Sequence, residues 1–282
     1  MSEAGAVKRS HDYELGHTDS ELKRLNRQAL LVNPMTRQFF QSAGLCPGMR
    51  VLDVGSGAGD VAFLVAELVG PGGEVVGTDR SSLAVAEATR AAQRRDLRNV
   101  SFLVGDPAEL VFDRSFDAVV GRYILCFSPD PVAMLRKLRV HLSPGGIMVF
   151  HEAGGLGAQS YPPAPLYDRC HNWIVQTFRR VGTNPQMCID LYSAFVDAGL
   201  PAPTMALHTL IGGSASKTNG IDLITDLVTT LAPVIAQMGV ATLEEIDIAT
   251  LHSRVQAEVE EKGSILVGRY EIGAWSTVAD MS

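Results

Sequence analysis

The residues best suited to chemistry stand in one short stretch, VLDVGSGAGD, at residues 51–60. An apolar run carries Asp53 and is followed by glycines at alternate positions and a second acid, Asp60. Glycines behind a buried strand let a ligand pass close to the backbone, where a Cβ would collide. The pyrophosphate-binding fingerprint G-x-G-x-x-G is not met, because Gly59 comes one residue early and Asp60 takes the expected place. A carboxylate there would repel a pyrophosphate, so the stretch favours a nucleoside that carries an amine.

Two further acids end the next two strand-like segments. Asp79 ends EVVGTD, about 20 residues beyond the glycines, where a carboxylate can accept hydrogen bonds from ribose hydroxyls. Asp106 ends FLVGD, from where its carboxylate could accept a hydrogen bond from the amine of an adenine. Because open α/β sheets bind ligands at the carboxyl ends of their strands, these acids predict one shared nucleoside site.

The elements that must position these acids alternate regularly. Short Val-rich segments bounded by Gly, Asp or Pro predict buried strands: RVLDVG, EVVGTD, VSFLVGD, FDAVVGRYI and GIMVFHE. Helical stretches separate them, such as DVAFLVAELVG, which ends at Gly70, and SSLAVAEATRAAQRR, whose serines can cap a helix. This alternation predicts an α/β fold with a doubly wound, mostly parallel sheet that is covered on both faces.

The segments outside this alternation predict a cap and a lid. Within residues 1–45, DSELKRLNRQALLV and NPMTRQFFQSAG predict two helices that cap the core. We assign residues 46–216 to a Rossmann-like core, in which AGGLGAQSYPPAPLYDRCHNWIVQTFRRVG is predicted to be loop-rich and TMALHTLIGG to be a strand. Residues 217–262 predict a helical insertion that serves as a lid, because it is far longer than an ordinary connection. Residues 263–282 carry the predicted final strand of the sheet.

Composition favours small-molecule partners. The 282 residues include 24 basic and 31 acidic side chains, and the formal charge of -7 argues against a nucleic-acid or anionic-membrane surface. No segment has the run of about 18 apolar residues that predicts a membrane span, and the N-terminus has no apolar leader segment. The four cysteines are scattered, as expected of reduced thiols. We therefore expect a cytoplasmic protein without a nucleic-acid or membrane partner, and a homodimer is left open.

Several segments together resemble a known family. VLDVGSGAGD, GTD, VGDPAEL, FDAVVGRYILCF and LSPGGIMVF are similar, in this order, to the motifs of class I S-adenosylmethionine-dependent methyltransferases. The later GRYEIGAWS matches a further strand of that fold, and YELGHTDSELKRLNRQA resembles small-molecule methyltransferases related to the ubiquinone and menaquinone enzymes. The resemblance covers roughly residues 20–152 well and the remainder loosely. It implies a seven-stranded sheet with N-terminal helices that close over the cofactor.

The resemblance implies S-adenosylmethionine as cofactor and S-adenosylhomocysteine as its product. Asp53 or Asp60 would face the ammonium group of the cofactor, and Asp79 its ribose. Asp106, together with the amide of Ala108, would bind the adenine. Plainer roles stay open for two of these acids, Asp60 as a helix N-cap and Asp53 as a structural carboxylate. The implied cofactor-binding residues are Tyr13, Gln28, Asp53, Gly55, Ser56, Gly57, Asp60, Asp79, Arg80, Leu83, Asp106, Pro107, Ala108 and Arg122.

The acceptor side of the predicted site is less specific. Methyl transfer is an in-line displacement, so a base is needed only when the acceptor must lose a proton. His151, at the end of the fifth strand, is the predicted base, and a hydrogen-bonded wall residue is its plainer role. Tyr123, Tyr167, His171 and Trp173 are predicted to contact the acceptor. The spacing of histidines and acids forms no metal-binding pattern, so no metal is predicted.

The main prediction is therefore a methyltransferase that moves a methyl group from S-adenosylmethionine to O, N or C of a small metabolite. The alternative is a fold relative that binds the cofactor without methyl transfer, such as a cyclase or a regulatory binding protein. A nicotinamide-dependent oxidoreductase is disfavoured by the acid in GAGD.

Overall fold

The computed structural model describes residues 19–107, 109–216 and 220–278, and for residues 19–28 and 30 it describes the backbone alone. The helices are α1 Asp19–Ala43, α2 Asp60–Val69, α3 Ser82–Arg94, α4 Pro131–Arg139, α5 Pro165–Val181, α6 Met187–Asp197, α7 Ile221–Gln237, α8 Leu243–Ile246 and α9 Ile248–Lys262. The strands are β1 Arg50–Val54, β2 Glu74–Asp79, β3 Val100–Val104, β4 Phe116–Arg122, β5 Leu142–Ala153, β6 Gln159–Tyr161, β7 Thr204–His208, β8 Ile211–Gly213, β9 Ile265–Val267 and β10 Glu271–Thr277.

The main sheet has seven strands in the order β3-β2-β1-β4-β5-β10-β7. Within the group β1 to β5, neighbouring strands are parallel. Strand β10 runs antiparallel to both β5 and β7. The predicted mostly parallel, seven-stranded sheet is confirmed. The strand order reverses between β1 and β4, so the loops that follow these two strands flank the crevice where such sheets bind ligands.

Both faces of the sheet are buried because its strands are apolar at successive positions. On β1, Val51 belongs to a core cluster with α1 and α2, whereas the next residue, Leu52, belongs to a cluster with α4 and α6. Successive side chains of a strand point to opposite faces, so a continuous apolar run serves two layers. Helices α3 and α4 begin at side chains that bond their own backbone: Ser81 accepts from the amide of Ala84, and Asp130 from that of Ala133.

The N-terminal helix α1 is continuous, so the prediction of two separate helices is wrong. Pro34 lies inside it and removes one backbone hydrogen bond, which costs about 3 kcal/mol. The buried side chains of Val32, Phe39 and Phe40 flank this proline and pack on the sheet layer. Each large apolar side chain contributes roughly 1.5–3 kcal/mol when it is buried, so packing outweighs the lost bond.

The segment predicted to be loop-rich contains a helix, α5. Its first residue is Pro165, which suits a helix start because the missing amide hydrogen would have had no partner there. Tyr167, Cys170 and Ile174 are buried at helical spacing against α7. The glycines and prolines at residues 154–163 precede the helix, and the sequence prediction extended their loop character too far along the chain.

The part of the chain after β5 adds a small second sheet and a group of helices. Strands β6, β9 and β8 form a three-stranded antiparallel sheet, and the predicted strand TMALHTLIGG is divided between β7 of the main sheet and β8 of the small one. Within the predicted insertion, α7, α8 and α9 are helical, and their buried side chains share one core cluster with α5. These helices therefore form one packed unit with α5.

Candidate active site

The glycine loop between β1 and α2 packs against other side chains at two of its glycines and faces open space at the third. Gly55 has a φ of 67°, and a Cβ there would overlap the side chain of Ile124. Gly57 has a φ of 51°, and a Cβ at this position would meet nothing within 4 Å. Gly59 lies against the ring of Phe63, so its small size serves packing. Of these glycines, Gly57 is the one with room beside it for a ligand.

Buried polar atoms beneath this loop fit the ammonium group of S-adenosylmethionine. Asp53 is 1% exposed, and among the described residues neither of its carboxyl oxygens has a hydrogen-bond partner. Burial raises its pKa to about 8, against which the charge of Arg122 acts. The hydroxyl of buried Ser56 likewise has no partner within the described parts of the chain. A buried carboxyl without a donor is suited to a cationic group that supplies one.

The tip of β2 fits a ribose. Asp79 accepts hydrogen bonds from the amide of Gly57 at 3.0 Å and from that of Ser81 at 2.8 Å, one on each carboxyl oxygen. Each oxygen keeps lone-pair capacity for a further donor, such as a ribose hydroxyl. These two amides fix the orientation of the Asp79 carboxylate beside the glycine loop.

The surface beyond this tip combines an ion pair with exposed aliphatic side chains, a combination that suits an adenine. Arg80 and Asp106 form an ion pair across it. Leu83 is 70% exposed at the start of α3, and Val104 at the tip of β3 is 50% exposed. Exposed aliphatic side chains can cover the face of a flat base, and a neighbouring carboxylate can accept a hydrogen bond from the amine of that base. Pro107 is buried at the end of this segment.

Some residues predicted to bind the cofactor lie outside the described part of the chain, and Asp60 is not the helix N-cap. Tyr13 and Ala108 are not among the described residues, and the side chain of Gln28 is not described either. Asp60 is the first residue of α2, with Gly59 as the N-cap, so its carboxylate stands at the positive end of the helix. Arg122 donates to Asn33 at 2.7 Å and thereby ties the end of β4 to α1.

A cavity of about 240 Å³ lies between the carboxyl ends of β4 and β5 and the helices α5 and α7. Of the residues predicted to contact the acceptor, Tyr123, Tyr167 and His171 line it. Trp173 does not: it is buried in the helical core cluster that α5 shares with α7 and α9. The walls are mostly aliphatic and aromatic, and include Phe127, Ile174, Val175, Phe178, Leu223 and Leu227.

One end of the cavity carries a buried polar network that the sequence prediction missed. The hydroxyl of Tyr123 donates to Oε2 of Glu271 at 2.9 Å, and Nε of Arg269 donates to Oε1 at 2.9 Å. Burial alone would raise the pKa of Glu271, but the charge of Arg269 and the hydrogen bonds outweigh it and lower the pKa to about 2. Glu271 is therefore an anion, and its charge raises the pKa of Arg269. Both residues lie in GRYEIGAWS, where their spacing of two residues was the available signal.

His151 sits behind this network and is absent from the described lining of the cavity. The ring is fully buried, with Nδ1 3.0 Å from Oγ1 of Thr36 and Nε2 2.9 Å from Oε2 of Glu271. Burial lowers its pKa, so the ring is neutral, and because the carboxylate can only accept, the hydrogen lies on Nε2. Both nitrogens are engaged, which argues against the predicted role as a base and favours the plainer role of a hydrogen-bonded residue, here one that holds Glu271 from behind the cavity wall.

Tyr123 occupies an unusual backbone conformation at the cavity. Its φ of 57° lies in the left-handed region, which costs a residue with a side chain about 1–2 kcal/mol. Its amide donates to the carbonyl of His151 at 2.9 Å, and its hydroxyl is held by Glu271. Strain of this kind persists only where surrounding contacts determine the conformation, and it is concentrated at functional sites.

Among the described residues, no group of three or more His, Cys, Asp or Glu side chains is arranged to hold a metal ion. Within the same residues, none of the helices combines the length and apolar character needed to cross a membrane.

Comparison with known proteins identifies the family. Residues 45–187, more than half of the chain, match the model of a methyltransferase domain. The aklanonic acid methyltransferase DauC of Streptomyces sp. (strain C5) is 40% identical over 118 residues, which are 42% of this chain and 54% of that protein. A 2-phytyl-1,4-naphtoquinone methyltransferase of Synechococcus elongatus is 43% identical over 161 residues, 55% of this chain and 65% of that protein.

The chain thus spans between about half and two thirds of the length of these relatives. Among solved structures, the YcgJ protein of Bacillus subtilis shares the fold, with a TM-score of 0.53, 17% identity, and coverage of 89% of this chain and 98% of that one. On the strength of the domain match, the chain belongs to the family of methyltransferase domains, in the class I group whose methyl donor is S-adenosylmethionine.

Proposed function

We propose that this protein transfers the methyl group of S-adenosylmethionine to a small-molecule acceptor bound in the 240 Å³ cavity. One observation carries the proposal: the glycine loop and the cavity meet at a single short segment after β4. Gly55 packs directly on Ile124, and the preceding residue, Tyr123, lines the cavity. A cofactor held along the loop and an acceptor held in the cavity would therefore be neighbours, as in-line transfer requires.

S-adenosylmethionine supplies a methyl group that is activated by its attachment to a positively charged sulfur. For this chain we assign the binding of the ammonium group to Asp53 and that of the ribose hydroxyls to Asp79. Arg80, Leu83 and Asp106 would surround the adenine. The support is that Asp53 is a buried carboxyl without a bond to the described residues, that Asp79 keeps lone pairs for further donors, and that Leu83 is exposed.

The chain's part in the reaction is to position the acceptor and exclude water. Tyr123, Tyr167 and His171 would contact the acceptor, and the apolar walls favour a mid-sized metabolite with a largely apolar framework. Helices α7 to α9 would act as the lid, since α7 supplies one wall of the cavity. The two named relatives act on aklanonic acid and a naphthoquinone, molecules of the kind that such a cavity would take. A cytoplasmic location stays a prediction from the sequence, and a homodimer stays open.

Two measurements, made one after the other, test the proposal. Calorimetric titration with S-adenosylhomocysteine and, separately, with NADH should give saturable binding of the first and none of the second. Incubation with methyl-labelled S-adenosylmethionine and a panel of phenols, quinols, amines and carboxylic acids should then label at least one acceptor. If S-adenosylhomocysteine does not bind, the proposal is wrong. Binding without transfer to any acceptor, or to a cell extract of metabolites, would favour the non-methylating alternative.

A further inference from the structure

Two polar groups on the cavity wall retain unused hydrogen-bonding capacity, and the first is on His171. Its Nε2 lies 3.2 Å from the carbonyl oxygen of Gly155. A carbonyl can only accept, so Nε2 carries the ring hydrogen and Nδ1 is left with a lone pair. Within the described part of the chain no group bonds to Nδ1. His171 thus combines a fixed tautomer with an unoccupied basic nitrogen, which is the usual arrangement of a histidine base.

The second group is the guanidinium of Arg269. Its Nε donates to Glu271 at 2.9 Å and its Nη2 to the hydroxyl of Tyr123 at 3.2 Å. None of the described residues bonds to Nη1, whose two hydrogens remain available. The side chain is largely withdrawn from solvent and lines the cavity. Arg269 therefore offers a positive charge and donors to a molecule in the cavity.

The charges around His171 favour its neutral, proton-accepting form. Burial lowers its pKa, the charge of Arg269 lowers it further, and the charge of Asp168 on the same helix acts in the opposite direction. Glu271, also on the wall, is ionised and already bonded by Arg269. The remaining ionisable side chains of the wall stay neutral because burial raises their pKa: Tyr123, Cys126 and Tyr167.

We propose that the acceptor is an acidic hydroxyl compound, a phenol or enol on an apolar framework, with Nδ1 of His171 removing its proton and Nη1 of Arg269 binding its oxygen. This inference rests on the proposed function and names its substrate class. The O–H bond breaks, an N–H bond forms at Nδ1, and the electron pair left on oxygen is the nucleophile of the transfer. His171 returns the proton to water after the product leaves.

Other acceptor classes match the pair of groups less well. A carboxylic acid is already ionised at neutral pH, so His171 would have no proton to remove. A protonated amine would be repelled by Arg269, and a neutral amine needs no oxygen-binding cation. An alkyl alcohol is far too weak an acid for an imidazole, whereas a phenol, with a pKa of about 10 as in tyrosine, comes within reach beside a positive charge.

The inference can be tested with 4-nitrophenol, whose anion absorbs visibly, and with its methyl ether 4-nitroanisole as a probe that cannot ionise. At pH 6, binding to the wild-type protein should raise the phenolate fraction severalfold above that in buffer. The variant His171→Gln keeps a donor for the carbonyl of Gly155 but no base, and it should lose most of this increase. His252→Gln is the matched control, because His252 is an exposed histidine on α9, outside the described cavity lining.

A second measurement needs no variant. In protein labelled with ¹⁵N-histidine, 4-nitrophenol should move the Nδ1 signal of His171 toward that of the imidazolium, and 4-nitroanisole should not. Failure of 4-nitrophenol to bind saturably, an equal phenolate fraction in wild type and His171→Gln, or an unchanged Nδ1 signal would each overturn the inference. None of these readouts uses S-adenosylmethionine, so they are separate from the cofactor titration on which the proposed function depends.

Discussion

Nε2 of His151 lies 2.9 Å from Oε2 of Glu271, and both side chains are buried. The contact follows from the sheet: β5 and β10 pair antiparallel with Gly273 opposite His151, which brings Glu271 two residues away on the neighbouring strand. On its other ring nitrogen His151 meets Thr36 of α1. The pair therefore connects the N-terminal helix to the polar end of the cavity, and Glu271 is the residue on which that end depends.

Replacement of Glu271 by glutamine should destabilise the protein by about 3–5 kcal/mol, because it leaves the buried cation of Arg269 without its counter-charge. Unfolding in urea, followed at pH 7, measures this. The control is Glu67→Gln, which breaks an ion pair between the partly exposed Arg37 and the largely exposed Glu67 and should cost no more than about 1 kcal/mol. Equal effects of the two substitutions would show that Glu271 carries no buried charge.

The same carboxylate predicts an acid limit of stability. Its pKa is about 2 in the folded protein and 4.5 as an ordinary glutamate, so the folded state favours the ionised form. The stabilisation is complete above about pH 4.5 and is lost as the pH falls toward 2, by on the order of 3 kcal/mol. Wild type should therefore lose stability over this range more steeply than Glu271→Gln, which has no proton to bind at this position.

Asp79→Ala should weaken the binding of S-adenosylhomocysteine at least tenfold in a calorimetric titration. The carboxylate is held by the amides of Gly57 and Ser81, and charge-assisted hydrogen bonds to a ribose contribute roughly 1.5–3 kcal/mol each. Asp113→Ala, at an exposed acid whose partners are Arg50 and Arg114, should leave the affinity unchanged. An Asp79 variant that binds as well as wild type would remove this residue from the cofactor site.

The parts of the fold that the sequence predicted are those whose pattern is local. Strand length and apolar continuity predict β1 to β5, and an acid at a strand end or just beyond it, such as Asp79 or Asp106, lies by necessity at one edge of a parallel sheet. Helix α5 was missed because the preceding glycines and prolines suggested a loop, although its buried side chains recur at helical spacing. Pro34 suggested a helix boundary, but burial of its neighbours on both sides kept α1 intact.

The polar end of the cavity was harder to predict, because its members are distant in sequence. His151 and Glu271 are 120 positions apart and meet through an antiparallel pairing that no local pattern specifies. The position of His151 near the end of β5, at the expected edge of the sheet, predicts a base, but position alone does not reveal that both ring nitrogens are bonded. Arg269 and His171 line the same cavity although they belong to distant parts of the sequence.

Leu227→Trp should block the acceptor and spare the cofactor. Leu227 of α7 lines the cavity, and a tryptophan there would fill much of a volume of about 240 Å³. The KM for an accepted substrate should rise at least tenfold, while the affinity for S-adenosylhomocysteine should stay within twofold. Leu243→Trp, at an exposed position on α8, adds the same side chain away from the cavity and should change neither. Unaltered kinetics for Leu227→Trp would place the acceptor elsewhere.

Asp53→Asn should make the protein more stable at alkaline pH and less able to bind its cofactor. Burial raises the folded-state pKa of Asp53 from 3.8 to about 8, so the folded protein favours the neutral acid while the unfolded chain ionises. The wild type therefore loses stability as the pH rises from about 4 to 8, by on the order of 5 kcal/mol at most. Asparagine does not titrate, so the variant should gain on wild type from pH 5 to pH 8 in urea unfolding. Its affinity for S-adenosylhomocysteine should fall at least tenfold, because the ammonium group loses an anionic partner. A stability difference that does not change with pH would mean that Asp53 is already ionised in the folded protein.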